Sequence, residues 1–398
     1  MMNRPHRFRR TMVSPASQAG FTLVELMIAV TVSLVMMTSL VALLVNVNSN
    51  NSEMERVNNQ IENGRFAIQI LRDDIMQAGF WGPHTPLFED REATGAATDI
   101  PAAVPDPCLT PSDWSEAHKV ALTGIPIQGS TAAPGTCGSV VTSQKADTDV
   151  LVVRRADSCV PGEANCDAFT DGKLYFQASL CPTELAAGTR FRIDSVAANL
   201  NLLTGACAGT LAPLRKFISN MYWIRDFATT PGDGIPTLVR SQLDLASGAL
   251  AQQPAVALIE GIDGFNVEFG VDDTVTRCSL NSAVDYTQAP TLIDPASCAV
   301  NTEASRNTLP TRRGDGTPDG NFVRCTAGTP CTVAQLMNTV AVKLYVLARS
   351  REVTAGYTDT KTYSLGTVTR GPFNDGFKRH VFSTTVRLIN VSGRRETP

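Results

Sequence analysis

The hydrophobic positions of the chain follow three different rhythms. Residues 21–45, FTLVELMIAVTVSLVMMTSLVALLV, are apolar in every direction around a helix, and their only charge is Glu25. As a helix rising 1.5 Å per residue this run is about 37 Å long, enough to cross a hydrocarbon core of roughly 30 Å. Next, Met54, Val57, Ile61, Gly64, Ile68, Leu71 and Ile75 recur at spacings of three and four. That stripe predicts a helix laid on a core, with Glu55, Arg56, Glu62, Arg65, Arg72 and Asp73 off it. Between the two, Asn and Ser crowd residues 46–52, and a local loosening is expected there. Gly79 and Pro83 end the helix. Unbroken from Phe21 to Ala78 it would reach about 87 Å.

Beyond residue 80 the period becomes two. Short strands are predicted at Asp149–Arg154, Lys173–Ala178 and Thr189–Ser195. Asn220–Asp226 and Ile235–Ser241 flank Pro231-Gly232-Asp233-Gly234, the signature of a hairpin. Ala257–Val271 and Asn338–Ser350 follow, the latter with Val340, Val342, Leu344 and Val346 on one face; Phe382, Thr384, Val386 and Leu388 share another. Residues 82–147 and 272–332, rich in Pro, Gly, Thr and Ser, have weak periodicity and read as insertions. The expected fold class is α+β: a long N-terminal helix, half membrane segment and half amphipathic, packed on an antiparallel sheet with long cysteine-containing loops. The expected divisions are a leader at 1–20, a membrane helix at 21–45, the amphipathic half at 46–80 and a β-rich head at 81–398.

Charge orients this arrangement. Arg4, Arg7, Arg9 and Arg10 precede the apolar run without an acidic neighbour, while Glu53 and Glu55 follow it. The asymmetry places the leader in the cytoplasm and the head outside, across an inner membrane. A secretory signal peptide shares the basic flank, but its small residues follow the apolar core. Here Ala19-Gly20 comes before it. Glu25 is costly in hydrocarbon and calls for a partner. Cleavage after Gly20 would create an amine on Phe21, and Glu25 of one subunit could then pair with the Phe21 amine of the next.

Gly20-Phe21-Thr22-Leu23-Val24-Glu25 and the apolar run behind it resemble the type IV prepilin signal of pilins and pseudopilins. The resemblance implies cleavage between Gly20 and Phe21 by a prepilin peptidase and N-methylation of Phe21. GRFAIQILRDDIMQAGFWG from Gly64, GDGIPTLVR, ALIEGIDGFNVEFGVD, VAVKLYVLARS and RHVFSTTVRLIN occur in an order similar to PilW-type minor pilins. The cysteine-bearing stretch between Asp273 and Val333 is longer than that family leads one to expect. What the family implies is a subunit that joins other minor pilins and the major pilin at an inner-membrane assembly platform. It primes the pilus, lies near its tip, and supports twitching motility and adhesion. The alternatives are a type II secretion pseudopilin, a membrane-anchored periplasmic enzyme and a tip adhesin.

Composition narrows the chemistry. Ten cysteines without zinc-type spacing fit an oxidising compartment. Short loops favour Cys159–Cys166 and Cys325–Cys331, leaving the partners of Cys108, Cys137, Cys181, Cys207, Cys278 and Cys298 open. Removing residues 1–20 takes four arginines from a chain of net charge −4 and leaves about −8, which argues against direct nucleic-acid binding. No nucleophile-elbow, P-loop or zincin pattern occurs, so neither an enzyme nor a cofactor is expected. His84, His118 and His380 sit in unrelated segments. Arg313-Gly314-Asp315 spells an adhesion tripeptide, and Asp315, Thr317, Asp319 and Gly320 hint at a calcium loop; both are read as turn sequence.

Overall fold

The computed structural model of the chain describes residues 20–92, 94–275, 278, 282–301 and 308–396. All of the expected leader except Gly20 lies outside the described residues. Helix α1 spans Leu23–Gln77, 55 residues without a break. It continues through the Asn/Ser stretch, as a pilin-like helix is expected to, without the local loosening that the composition suggests. These residues each cost a helix only a few tenths of a kcal/mol, and neither Pro nor Gly interrupts the chain between Phe21 and Asn63. The chain divides into two compact units, one ending at Glu55 and one starting at Arg56.

The second unit contains the last turns of α1 and all the strands. In order come α2 (Glu116–Gly124), β1 (Ile127–Ser130), β2 (Val150–Ala156), β3 (Tyr175–Ala178), α3 (Pro182–Ala186), β4 (Phe191–Asp194), β5 (Leu214–Arg225), β6 (Thr237–Ala246), β7 (Ala249–Gln252), β8 (Val256–Glu260) and β9 (Ile262–Val271). Two small ladders follow, β10 (Thr274–Val275) with β11 (Ser282–Ala283) and β12 (Leu292–Ile293) with β13 (Leu309–Pro310). Then come α4 (Val333–Met337), β14 (Thr339–Arg349), the hairpin β15 (Tyr363–Leu365) and β16 (Val368–Arg370), β17 (Arg379–Arg387) and α5 (Ile389–Arg395).

The long strand β5 centres an antiparallel sheet, flanked by β2 and β1, by β3 and β4, and by β6 with β7 and β8. A second sheet runs β17-β14-β9. The predicted hairpin around Asp233 is present: Asn220–Arg225 pair with Thr237–Gln242. Asp233 sits inside its loop and accepts from the backbone N–H groups of Ala228, Thr229, Thr230 and Ile235. The β6–β7 hairpin turns on Ser247 and Gly248, both at positive φ, a geometry that glycine adopts without strain.

One core joins Ala67, Leu71 and Ile75 of α1 to both sheets and to Val391 of α5. A second gathers Trp81, Trp114, Leu122, Phe176 and Phe217 under α2. The alternation read along β14 tells only half of its burial. Val340, Val342, Leu344 and Val346 face the main core, while Tyr345 and Leu347 join a separate cluster with Tyr363 and Leu365. Residues 82–147 are likewise not irregular throughout. They supply α2, whose first turn is capped by Ser115 accepting from His118 N–H, and β1, which pairs with β2. All ten cysteines are paired: 108–137, 159–166, 181–207, 278–298 and 325–331.

Candidate assembly helix and its seat in the head

The amino-terminal motif has a geometry of its own. Glu25 Oε2 accepts from Thr22 N–H at 3.0 Å and from Thr22 Oγ1 at 2.8 Å, while Glu25 N–H donates to Thr22 Oγ1 at 3.3 Å. This is a reciprocal capping box, which satisfies N–H groups that a helix start otherwise leaves unpaired. Glu25 thus has a partner at its own helix start besides the one expected in another subunit, and Thr-x-x-Glu ahead of an apolar run is the usual sequence signal for it. Phe21 is 87% exposed. A Cβ placed on Gly20 would meet nothing within 4 Å, so packing inside the chain does not require glycine there.

From Phe21 to Val47 the large apolar side chains are all exposed. Exposed apolar area of this extent is the condition for burial in lipid or against other helices. The hydroxyls in this span are already satisfied. Thr31 Oγ1 donates to Met27 O at 2.9 Å, Ser33 Oγ to Ala29 O at 2.6 Å, and Thr38 and Ser39 to Val35 O, each at 2.9 Å. Such back-bonding lets polar residues enter hydrocarbon without stranding a donor.

The other end of α1 is seated by polar groups that the apolar stripe does not reveal. Gln60 Nε2 donates to Ala348 O at 2.8 Å and Lys378 O at 3.1 Å, and Asn63 Nδ2 to Glu260 O at 3.1 Å. Asp74, 8% exposed, accepts from Arg155 Nε at 3.0 Å, Asn220 Nδ2 at 2.7 Å and Tyr222 Oη at 2.8 Å. Gly64 is required by contact: a Cβ there would lie 2.1 Å from the Phe382 ring of β17. At the helix end Asn390 Nδ2 reaches the carbonyls of Met76, Gln77 and Ala78, groups that a helix C-terminus cannot bond internally.

Elsewhere in the head, buried charge is committed to structure. Arg379 donates to Asp263 at 2.7 Å, Asp359 at 2.9 Å and Asp375 at 2.7 Å. Arg395 of α5 lies between Glu89 and Asp272, each at 3.4 Å. Burial pushes the Asp272 carboxyl up to about 6 despite the nearby guanidinium. His84 is packed against Phe191 and Phe176, its Nε2 has no hydrogen-bond partner, and burial with Arg394 and Arg190 nearby lowers it to about 3. Arg313 of the adhesion-like tripeptide is buried, stacked on Tyr286 and bonded to Asp285 O. Asp315 accepts from Thr317 N–H as a turn residue, whereas Asp319 accepts from Asp273 and Thr274 N–H and so ties its loop to the chain leaving β9 instead of shaping a local turn. Among the described residues, no group of three His, Cys, Asp or Glu is placed to hold a metal ion.

Residues 221–390 match the family model described as Type IV Pilus-assembly protein W, and residues 15–41 match the Prokaryotic N-terminal methylation motif. The resemblance noted in the sequence is met in these two separate stretches. No curated protein matches the chain. A type IV-like pilin from Thermus thermophilus aligns over 83% of this chain and 97% of its own, at 11% identity and a TM-score of 0.31.

Proposed function

We propose that this chain, tied to the type IV pilus by its methylation motif and its PilW region, is a minor pilin that takes part in starting pilus assembly. The leader is cleaved between Gly20 and Phe21 by a prepilin peptidase, the new Phe21 amine is methylated, and α1 stays in the inner membrane with the head in the periplasm. The observation that carries this reading is the apolar span behind Gly20, whose large side chains are exposed. In the membrane lipid covers it; in the fibre the shafts of other minor pilins and of the major pilin do. The role is structural rather than catalytic. A place near the tip, with contributions to twitching motility and adhesion, belongs to the same reading.

The capping box sharpens its test. Glu25→Gln keeps a side chain able to complete the box but removes the charge. The expected outcome is normal processing to a chain beginning at Phe21, normal membrane residence, and loss of incorporation into pili. Wild-type piliation in this variant would reduce Glu25 to a helix cap and overturn its pairing with a neighbour's amine.

A further inference from the structure

Strand β17 is bonded on one side only. The ladder to β14 runs from Arg379–Arg349 to Arg387–Ala341, and no strand lies beyond β17 among the described residues. The register says which groups are left over. Leu388 N–H donates to Val340 O and Ser350 N–H to Lys378 O, so the even-numbered residues of β17 exchange bonds with β14. Val381, Ser383, Thr385 and Arg387 therefore point their N–H and C=O groups away from the sheet.

This edge differs from the others in the head. β1, β4 and β7 are four residues long, and β8 is five with a register shift. β9, the ten-residue far edge of the sheet that β17 belongs to, is met by other segments: Phe269 exchanges bonds with Val323, Phe265 O accepts from Asp149 N–H, and Val267 N–H donates to the Asp149 carboxylate. β17 has nine residues, about 30 Å of strand. Protein edges are ordinarily blunted by shortness, bulges, proline or lysine. β17 uses neither shortness nor bulge nor proline: its ladder to β14 is regular, and its arginines, Arg379 and Arg387, stand at its two ends and leave Val381–Val386 uncharged. Each face of the strand is occupied in part, Phe382 lying against α1 and Val381 against the Tyr345–Leu347 cluster. Ser383 and Thr385 are exposed. What remains is a row of outward donors and acceptors at the two-residue strand repeat, a spacing matched by another extended polypeptide.

We propose that the free edge of β17 is an interface that takes up an extended strand from another subunit of the same fibre. The inference rests on the assembly reading above, in which bundled shafts bring heads side by side. The added strand would satisfy the outward groups of Val381, Ser383 and Thr385 and complete a four-stranded sheet.

Proline separates the edge from the fold. In Thr385→Pro the lost N–H is an outward one, so the β14 ladder keeps its bonds. The double variant Ser383→Lys/Thr385→Lys places lysines on exposed positions and serves if the proline perturbs the head. Each variant is introduced into the full-length chain, and the chain is quantified in sheared pili beside the head's melting temperature and processing at Gly20. The expected result is at least a tenfold loss from the pilus fraction, with folding and processing unchanged. A folded, processed edge variant that enters pili at the wild-type level overturns the interface and leaves the assembly reading intact. Absence of the unmodified chain from pili overturns both.

Discussion

The two halves of α1 obey one backbone rule and opposite solvent rules. Along Phe21–Val47 the side chains are apolar on all sides and bare; along Arg56–Gln77 only one stripe is buried, and polar groups lie within it. Leu34 is 58% exposed where Leu71 is fully buried. The apolar half carries a large exposed surface of the kind that lipid or other helices cover. The amphipathic half is covered by the head and is held there by Gln60, Asn63 and Asp74 as much as by Leu71 and Ile75. Hydrophobicity alone therefore does not mark a core; what matters is whether the same chain provides a facing surface.

A charge moved from one half to the other gives the largest contrast. Leu71→Asp buries an unpaired carboxylate and removes a core side chain, and the head is expected to lose at least about 4 kcal/mol and fail to fold cooperatively. Leu34→Asp is expected to leave the head's thermal unfolding unchanged while weakening membrane retention. If Leu71→Asp melted like the wild type in calorimetry, the seat described for the helix would be wrong.

Asp74→Ala tests the polar component of that seat. It strands Arg155, the Asn220 amide and the Tyr222 hydroxyl without their shared acceptor, at a cost of about 3 kcal/mol. Urea unfolding of the variant should show it; a loss below about 0.5 kcal/mol would mean that the apolar stripe suffices.

The smallest effect concerns acid. His84 follows the helix end and is buried neutral, with its pKa lowered from 6.5 to about 3. A base with a depressed folded pKa contributes stability that is present above pH 6.5 and is lost as pH falls towards 3, because the unfolded chain takes up the proton first. Asp272 acts in the opposite sense. Its carboxyl is raised to about 6, so the folded state binds the proton more tightly and gains stability as pH falls through 6. The readout is therefore the difference between wild type and His84→Phe: a shallower decline in melting temperature between pH 6.5 and 3 for the variant. Parallel curves would remove His84 from the account.

Much of this protein was legible before any coordinates. The apolar run at 21–45, with one acid, was readable as a lipid-compatible helix from composition alone, since transfer into lipid depends on the sum of side chains and hardly on their neighbours. The strands β5, β6, β9, β14 and β17 were readable as strands for a similar reason, since their apolar positions are local, but burial of both faces of β9 and β14 was not part of that alternation. The capping box at Thr22 and Glu25 was equally local and could have been read from four residues. Other features were beyond reach. α2 and β1 lie in a stretch whose polar composition outweighs a short periodic signal, and only their packing against Trp81, β2 and β5 makes them regular.

The sequence by itself determined which surface must leave water, because this follows from summed transfer energies. Tertiary structure alone decided that Gln60 and Asp74 are buried, that Gly64 admits Phe382, that Cys108 meets Cys137 and Cys181 meets Cys207, and that β17 ends a sheet with one side open. Each of those depends on groups tens to hundreds of residues apart reaching one another, and no local pattern of side chains specifies such a meeting.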